Sequence, residues 1–165
     1  MYDKTYLVNK AYELLERTTP LTSDCGKLCN GLCCKGDGKT GMLLFPGEEE
    51  LLKNTEGFTI LDCESNFGYK MVVCNGTCDR KKRPLACRIY PCFPMITEDG
   101  FDARTDIRGI GTCPILTENI KIDYSFFRQI RKVARLFSTD EEMKSYIINI
   151  NNMLDEIEDF AERMI

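Results

Sequence analysis

The sequence predicts an α+β fold, a small cysteine-rich domain with short strands and irregular loops packed with an N-terminal helix and two C-terminal helices. Three observations predict it. Apolar residues recur at helical spacing at both ends of the chain, short apolar or alternating runs lie between them, and ten cysteines gather among Gly, Asn and Asp. At 165 residues the chain fits one domain, 1–165, with a cysteine-rich part over 20–115 and a helical part over 116–165.

The first helix is predicted over 3–18, where Leu7, Ala11, Leu14, Leu15 and Thr18 share one face and Pro20 stops the run. Residues 21–41 are rich in Gly, Asn, Asp and Cys, with turn signals at Asn30-Gly31 and Gly36-Asp37-Gly38, so the first cysteine group is expected on an irregular loop. Met42-Leu43-Leu44-Phe45 reads as a short strand. Pro46 to Leu52 reads as a short helix, with Glu48, Glu49 and Glu50 in its first turn where the helix dipole favours acids. Strands are predicted over 58–63 and 67–74, the second alternating Phe67, Tyr69, Met71 and Val73 with the intervening residues. A hairpin is predicted from 93–97 and 101–105. From about Asp123 the pattern is helical, with Phe126, Phe127, Ile130, Val133, Ala134 and Phe137 on one face and Arg128, Arg131, Lys132 and Arg135 on another. The last helix is expected to open at Thr139, with Glu142 completing a capping box, and to keep its apolar face through Ile157, Phe160, Ala161 and Met164. No internal repeat is present.

The cysteines fall in two groups, Cys25, Cys29, Cys33 and Cys34, then Cys74, Cys78, Cys87 and Cys92, followed by Cys113. With no histidine in the chain, a transition-metal site must rest on thiolates, with carboxylate, backbone or water as helpers. Thiols four positions apart around a Gly or Asn turn can face one ion, and Cys25/Cys29, Cys29/Cys33 and Cys74/Cys78 have that spacing. Adjacent side chains diverge, so the Cys33-Cys34 doublet points to two neighbouring centres, or to one polynuclear cluster with a further ligand role. Thiolate-only ligation suits an iron–sulfur cluster and Zn²⁺ alike. Two four-thiolate zinc sites would each carry a net charge of about −2, and Arg80, Lys81, Lys82, Arg83 and Arg88 stand in sequence where cations could offset it. Cys63 ends an apolar run and reads as a buried thiol, whereas Cys92 is open between ligand, spare thiol and redox partner.

The string Cys25-x3-Cys29-x3-Cys33-Cys34, Cys74-x3-Cys78, Arg83-Pro84-x2-Cys87-Arg88-x-Tyr90-Pro91 and Cys113-Pro114 resembles the zinc- or iron-chelating cysteine-cluster family often called YkgJ-like. It spans about 90 residues, 25 to 114. Each gap in the first group is one residue longer than the C-x2-C-x2-C-C usual in that family. The resemblance implies metal ligands at Cys25, Cys29, Cys33, Cys34, Cys74, Cys78, Cys87 and Cys113, with Cys63 and Cys92 outside the set. Flagellin lysine-N-methylases resemble the family in the same cysteine region. The resemblance therefore implies a metal-binding protein with one or two thiolate centres, and as an alternative an iron–sulfur enzyme performing redox chemistry or S-adenosylmethionine-dependent protein lysine methyl transfer. The chain shows no Gly-rich nucleotide fingerprint, and the third thiol of a radical S-adenosylmethionine C-x3-C-x2-C motif falls one place too far, at Cys33.

The amino terminus lacks a basic stretch followed by an apolar run, and no segment is apolar for 18 residues, so a cytoplasmic protein without membrane contact is expected. In a reducing compartment clustered cysteines favour metal or redox chemistry over a secreted disulfide framework. The formal charge of −4 gives no push toward nucleic acid, and a protein partner or substrate is the expected interaction.

Overall fold

In a computed structural model, which describes residues 3–35, 38–63 and 67–164, the N-terminal helix α1 spans Lys4–Leu15. Asp3 caps it by accepting from the Thr5 amide, and Leu7, Val8, Ala11 and Leu15 are its buried face. The helix stops three residues short of the expected end, leaving Thr18 to bond the Leu14 carbonyl from a turn. The fold is α+β. Gly36, Asp37 and the predicted turn 64–66 lie outside the described residues.

Strands β1 (Met42–Leu43), β2 (Phe58–Asp62) and β3 (Lys70–Cys74) form an antiparallel sheet with β3 in the centre. Met42 stands opposite Val72 on one side of β3, and Ile60 stands opposite the same residue on the other. The predicted run through Phe45 pairs only over its first two residues, and β3 begins at Lys70, three residues later than expected. Gly41 allows the sheet to close, because a Cβ there would stand 2.2 Å from the Val72 carbonyl oxygen. A separate hairpin joins β4 (Cys92–Thr97) to β5 (Gly100–Thr105), as the pattern predicted, with one further residue at the start of each strand.

Helix α6 (Tyr124–Phe137) lies against β4, β5 and α1, and helix α7 (Glu141–Arg163) packs on β4 and α6. Their buried faces meet around Phe45, which lies just past β1 and whose ring is 4.8 Å from Tyr146 and 5.2 Å from Phe137. Tyr69, from the cysteine-bearing half, completes the cluster 4.7 Å from Tyr146. One core therefore spans both halves of the chain, with Cys92 and Cys113 among its members and Cys25 packed against it.

The cap of α7 differs from the expected capping box. Asp140 accepts from the Glu142 and Met143 amides, while the Thr139 hydroxyl bonds back to the Leu136 carbonyl. Removing that buried acceptor in Asp140→Ala is expected to cost about 1–2 kcal/mol, read as a lower denaturation midpoint at unchanged slope. Thr139→Ala is expected to cost less than about half of this.

Among the described residues no helix is long and apolar enough to cross a membrane.

Candidate metal centre

The first cysteine group is more regular than its composition implied. Cys25 precedes the short helix α2 (Gly26–Cys29), Asn30 and Gly31 turn the chain through left-handed conformations (φ 52° and 68°), and Cys33 and Cys34 sit in a 3₁₀ turn, Leu32–Cys34. The Gly31 amide bonds the Gly26 carbonyl at 3.1 Å, and the Cys34 amide bonds Gly31 at 2.9 Å. These two coils bring four thiols onto one short segment with almost no apolar burial to fix it.

In the second group Cys74 ends β3, and the Asn75 side chain accepts from the Thr77 amide at 3.2 Å to shape the turn toward Cys78. Gly76, at φ 89°, brings the two groups together. A Cβ at that position would stand 3.1 Å from the Cys34 carbonyl oxygen, so the turn packs directly on the doublet. Asp79 caps the 3₁₀ turn Arg80–Lys82, Cys87 lies in helix α4 (Leu85–Ile89), and Cys113 immediately precedes helix α5 (Pro114–Thr117).

The eight thiols of the family pattern gather in two neighbourhoods. Cys34, Cys74, Cys78 and Cys87 line one cavity of about 380 Å³, with Cys33 and Arg83 on its wall. Cys87 lies within electrostatic reach of Cys34, Cys74 and Cys78. Cys25, Cys29 and Cys33 are mutual neighbours, and Cys113 faces Cys25 and, with Cys33, Tyr90. The doublet joins the two sets. Cys33 and Cys34 are electrostatic neighbours of each other, while Cys33 also neighbours Cys25 and Cys29 and Cys34 neighbours Cys87.

The thiols border a space without closing on a point. Among the described residues no three Cys, Asp or Glu side chains stand together as an ion-holding group. No disulfide joins any of the ten cysteines. Burial pushes the Cys25, Cys33 and Cys87 thiols up, reinforced by Asp24 at Cys25, by Cys34 at Cys33 and by Glu48 at Cys87. A bound metal would reverse that preference, since a ligating thiol is deprotonated.

Arg83 tests whether such a group fits. Its side chain has no ion pair with a carboxylate among the described residues, and its Nε is buried with no hydrogen-bond partner. Burial opposes its charge, but the proximity of Cys78 first, and of Cys34 and Cys87, outweighs it and raises its pKa. A half-buried guanidinium among thiols acquires its counter-charge when those thiols become thiolates. In donor chemistry and charge the residues fit a thiolate-bound metal.

Arg88, also expected beside the thiolates, lines a small cavity with Cys25, Arg83 and Cys87. Its Nε donates to the Arg83 carbonyl and its Nη2 to the Lys81 carbonyl, each at 2.7 Å, while its guanidinium lies 4.4 Å above the Tyr12 ring. It clamps the backbone that presents Arg83. Cys92 is buried against Asp106 and Cys113, and burial pushes its thiol up to about 12. Cys63 is half-buried just beyond β2, where its amide bonds the Tyr69 carbonyl.

The sequence reading missed Glu48. It is 0% exposed and accepts from the Tyr12 hydroxyl and the Leu85 amide at Oε1, both at 2.7 Å, and from the Phe45 amide at Oε2. It thus holds the first turn of α4, and with it Cys87, against α1 and helix α3 (Glu48–Leu52). Nothing in Glu48-Glu49-Glu50 marks the first glutamate as the buried one. A second cavity, of about 330 Å³, adjoins the first at Cys33, Cys34, Arg83 and Cys87 and is also lined by Tyr90 and Arg108. There Arg108 grips the buried Asp106 with two bonds of 2.8 and 2.6 Å.

Compared with family models, curated proteins and solved structures, the chain matches none. The resemblance to the YkgJ-like family therefore rests on the cysteine motif and on the strings around it.

Proposed function

We propose that this chain is a metal-binding protein of the YkgJ-like type, holding two thiolate-ligated centres, either iron–sulfur clusters or zinc. One centre uses Cys34, Cys74, Cys78 and Cys87, and the other uses Cys25, Cys29, Cys33 and Cys113. The observation that carries this reading is the cavity lined by the first four thiols, with Arg83 half-buried in its wall, its Nε buried and no carboxylate paired with it among the described residues. A bound iron–sulfur cluster would supply electron transfer, and zinc would supply structural cross-linking.

The chain's own residues supply the rest. Arg83 offsets thiolate charge beside Cys78, Arg88 fixes the loop that carries Arg83, and Glu48 positions the start of α4. The left-handed pair Asn30-Gly31 and the tight turn at Gly76 set the approach of the two cysteine groups. Ligation draws together side chains that otherwise stand around an open space, so metal binding and local order are coupled. The cytoplasmic location and a protein partner or substrate belong to the same proposal.

Iron, acid-labile sulfide and zinc counted per chain on anaerobically purified protein test the reading. Two zinc ions per chain, or iron with matching sulfide and a visible charge-transfer spectrum, are the expected results. Less than one metal per chain both as purified and after anaerobic reconstitution, with all ten thiols titrating freely, would overturn it. Zinc found alone calls for reconstitution with iron and sulfide, because zinc readily occupies thiolate sites.

A further inference from the structure

The two sets of thiols share a wall. Cys87 lies in helix α4, and Arg83 stands in the turn just before it. A small cavity of about 30 Å³ is lined by Cys25 of one set and Cys87 of the other, together with Arg80, Arg83 and Arg88. Its volume gives room for about two waters, so the side chains around it stand close to one another. The larger cavities, of about 380 and 330 Å³, are both lined by Cys33, Cys34 and Cys87, and again by Arg83. Among the described residues Arg83 is the one cation in the lining of all three.

The other cations of these walls are engaged elsewhere or lie in water. Arg88 gives two donors to the Arg83 and Lys81 carbonyls, and Arg108 grips Asp106. Arg80 and Lys35 are exposed, where salt screens a charge most effectively. Asp24, the carboxylate of the small cavity, is exposed as well and accepts from the Gly26 amide at 3.1 Å. Arg83 is half-buried, its Nε has no hydrogen-bond partner, and no carboxylate pairs with it among the described residues. Its charge is felt on both sides of the wall. Burial first, then Asp24, pushes the Cys25 thiol up, and Arg83 pulls the other way. Across the wall Cys78, Cys34 and Cys87 favour the charged guanidinium.

We propose that Arg83 is a counter-ion shared by both centres, its charge supporting metal binding at the centre that includes Cys25 as well as at the one that includes Cys87. The inference rests on the two-centre reading and adds a dependence that the division of ligands does not contain. Two four-thiolate zinc centres of about −2 each repel across a common wall, and a half-buried cation between them attracts both.

The test titrates the metal-free full chain with Zn²⁺ and pulses it with iodoacetamide, because a ligated thiolate is shielded from alkylation. Mass spectrometry of the peptides then reads the two centres separately, one at Cys29 and the other at Cys74 and Cys78. Arg83→Gln, which removes the charge, is expected to raise the zinc concentration for half-protection about tenfold at both. Arg83→Lys, which keeps the charge without the guanidinium fork, is expected to stay within about threefold of the parent. A role in packing or hydrogen bonding alone would leave the two variants alike. To separate a direct effect from one passed through the Cys33-Cys34 doublet, Arg83→Gln is repeated in a Cys74→Ser chain, where the Cys29 midpoint is still expected to shift about tenfold. An unshifted Cys29 midpoint in either chain, or equal losses in Arg83→Gln and Arg83→Lys, would overturn the shared counter-ion and leave the two centres standing. A parent whose thiols gain no protection at any zinc concentration would overturn the metal reading itself, and the shared counter-ion with it.

Discussion

Cys87→Ser is expected to lose the metal of one centre and to melt more than about 10 °C below the parent, while Cys63→Ser keeps both metal content and melting temperature. Cys87 lies within reach of Cys34, Cys74 and Cys78 and within a helix whose first turn is fixed by Glu48, so no other thiol can take its place without moving α4. Structural thiolate metals contribute about 10–16 kcal/mol of apparent binding energy in small domains. Even a third of that, in a chain of this size, corresponds to a shift of roughly 10–20 °C. Chelation of the parent protein should act in the same direction and more strongly, because both groups would lose their cross-links. Hydrogen exchange should then show protection falling over 25–34 and 74–92. The core around Phe45, Phe137 and Tyr146 should exchange last, since its contacts are apolar and owe nothing to the ion. A Cys87→Ser protein with full metal content and parental melting would remove this centre from the proposal.

Glu48→Leu is expected to destabilise the protein by about 3–5 kcal/mol. The change leaves the Tyr12 hydroxyl and the Leu85 and Phe45 amides without their acceptor in a site closed to water, each costing about 1–3 kcal/mol, against some gain in apolar burial. Glu48→Gln keeps one acceptor oxygen but turns an amide toward a donor, so a smaller loss of about 1–2 kcal/mol is expected. The pH dependence separates charge from hydrogen bonding. Burial raises the Glu48 carboxyl from 4.5 to about 7, against the pull of its three donors and of Arg88. Between those values the folded state holds the proton that the unfolded chain has released. Stability from this group is therefore fully present below pH 4.5 and is lost as pH rises through about 7, by an amount on the order of 3 kcal/mol. Denaturation midpoints of parent and Glu48→Gln, compared at each pH from 5 to 8, should draw together and then cross as pH rises, since only the parent loses this term and the loss exceeds the cost of the substitution. A constant difference across that range would show that Glu48 is ionised throughout.

The α+β class was legible because its two signals are local. Helical spacing over α1, α6 and α7 and the two-residue period of β3 each reflect one face turned toward a core, whatever lies on the other side. The hairpin was legible for the same reason, as was the turn at Asn30-Gly31, where the backbone conformation limits the side chain. Helix ends were less so. Asp140 rather than Thr139 caps α7, because both residue types can cap and only the path of the preceding chain decides which oxygen faces the free amides.

By itself the sequence determined the kind of chemistry this chain can hold. Ten thiols and no imidazole restrict a transition-metal site to sulfur-dominated ligation, a consequence of composition that no folding can alter. Tertiary structure decided how those thiols are divided, with Cys33 near Cys25 and Cys29 and Cys34 near Cys87, Arg83 within the second set, and Arg88 bonded to the backbone that carries Arg83. It also selected Glu48 from three consecutive glutamates and left the last turns of α7 without cover. These outcomes depend on which distant segments share a neighbourhood. Contacts between residues far apart in the chain follow from how the whole core closes around Phe45 and Tyr146, and a local pattern carries no record of that closure.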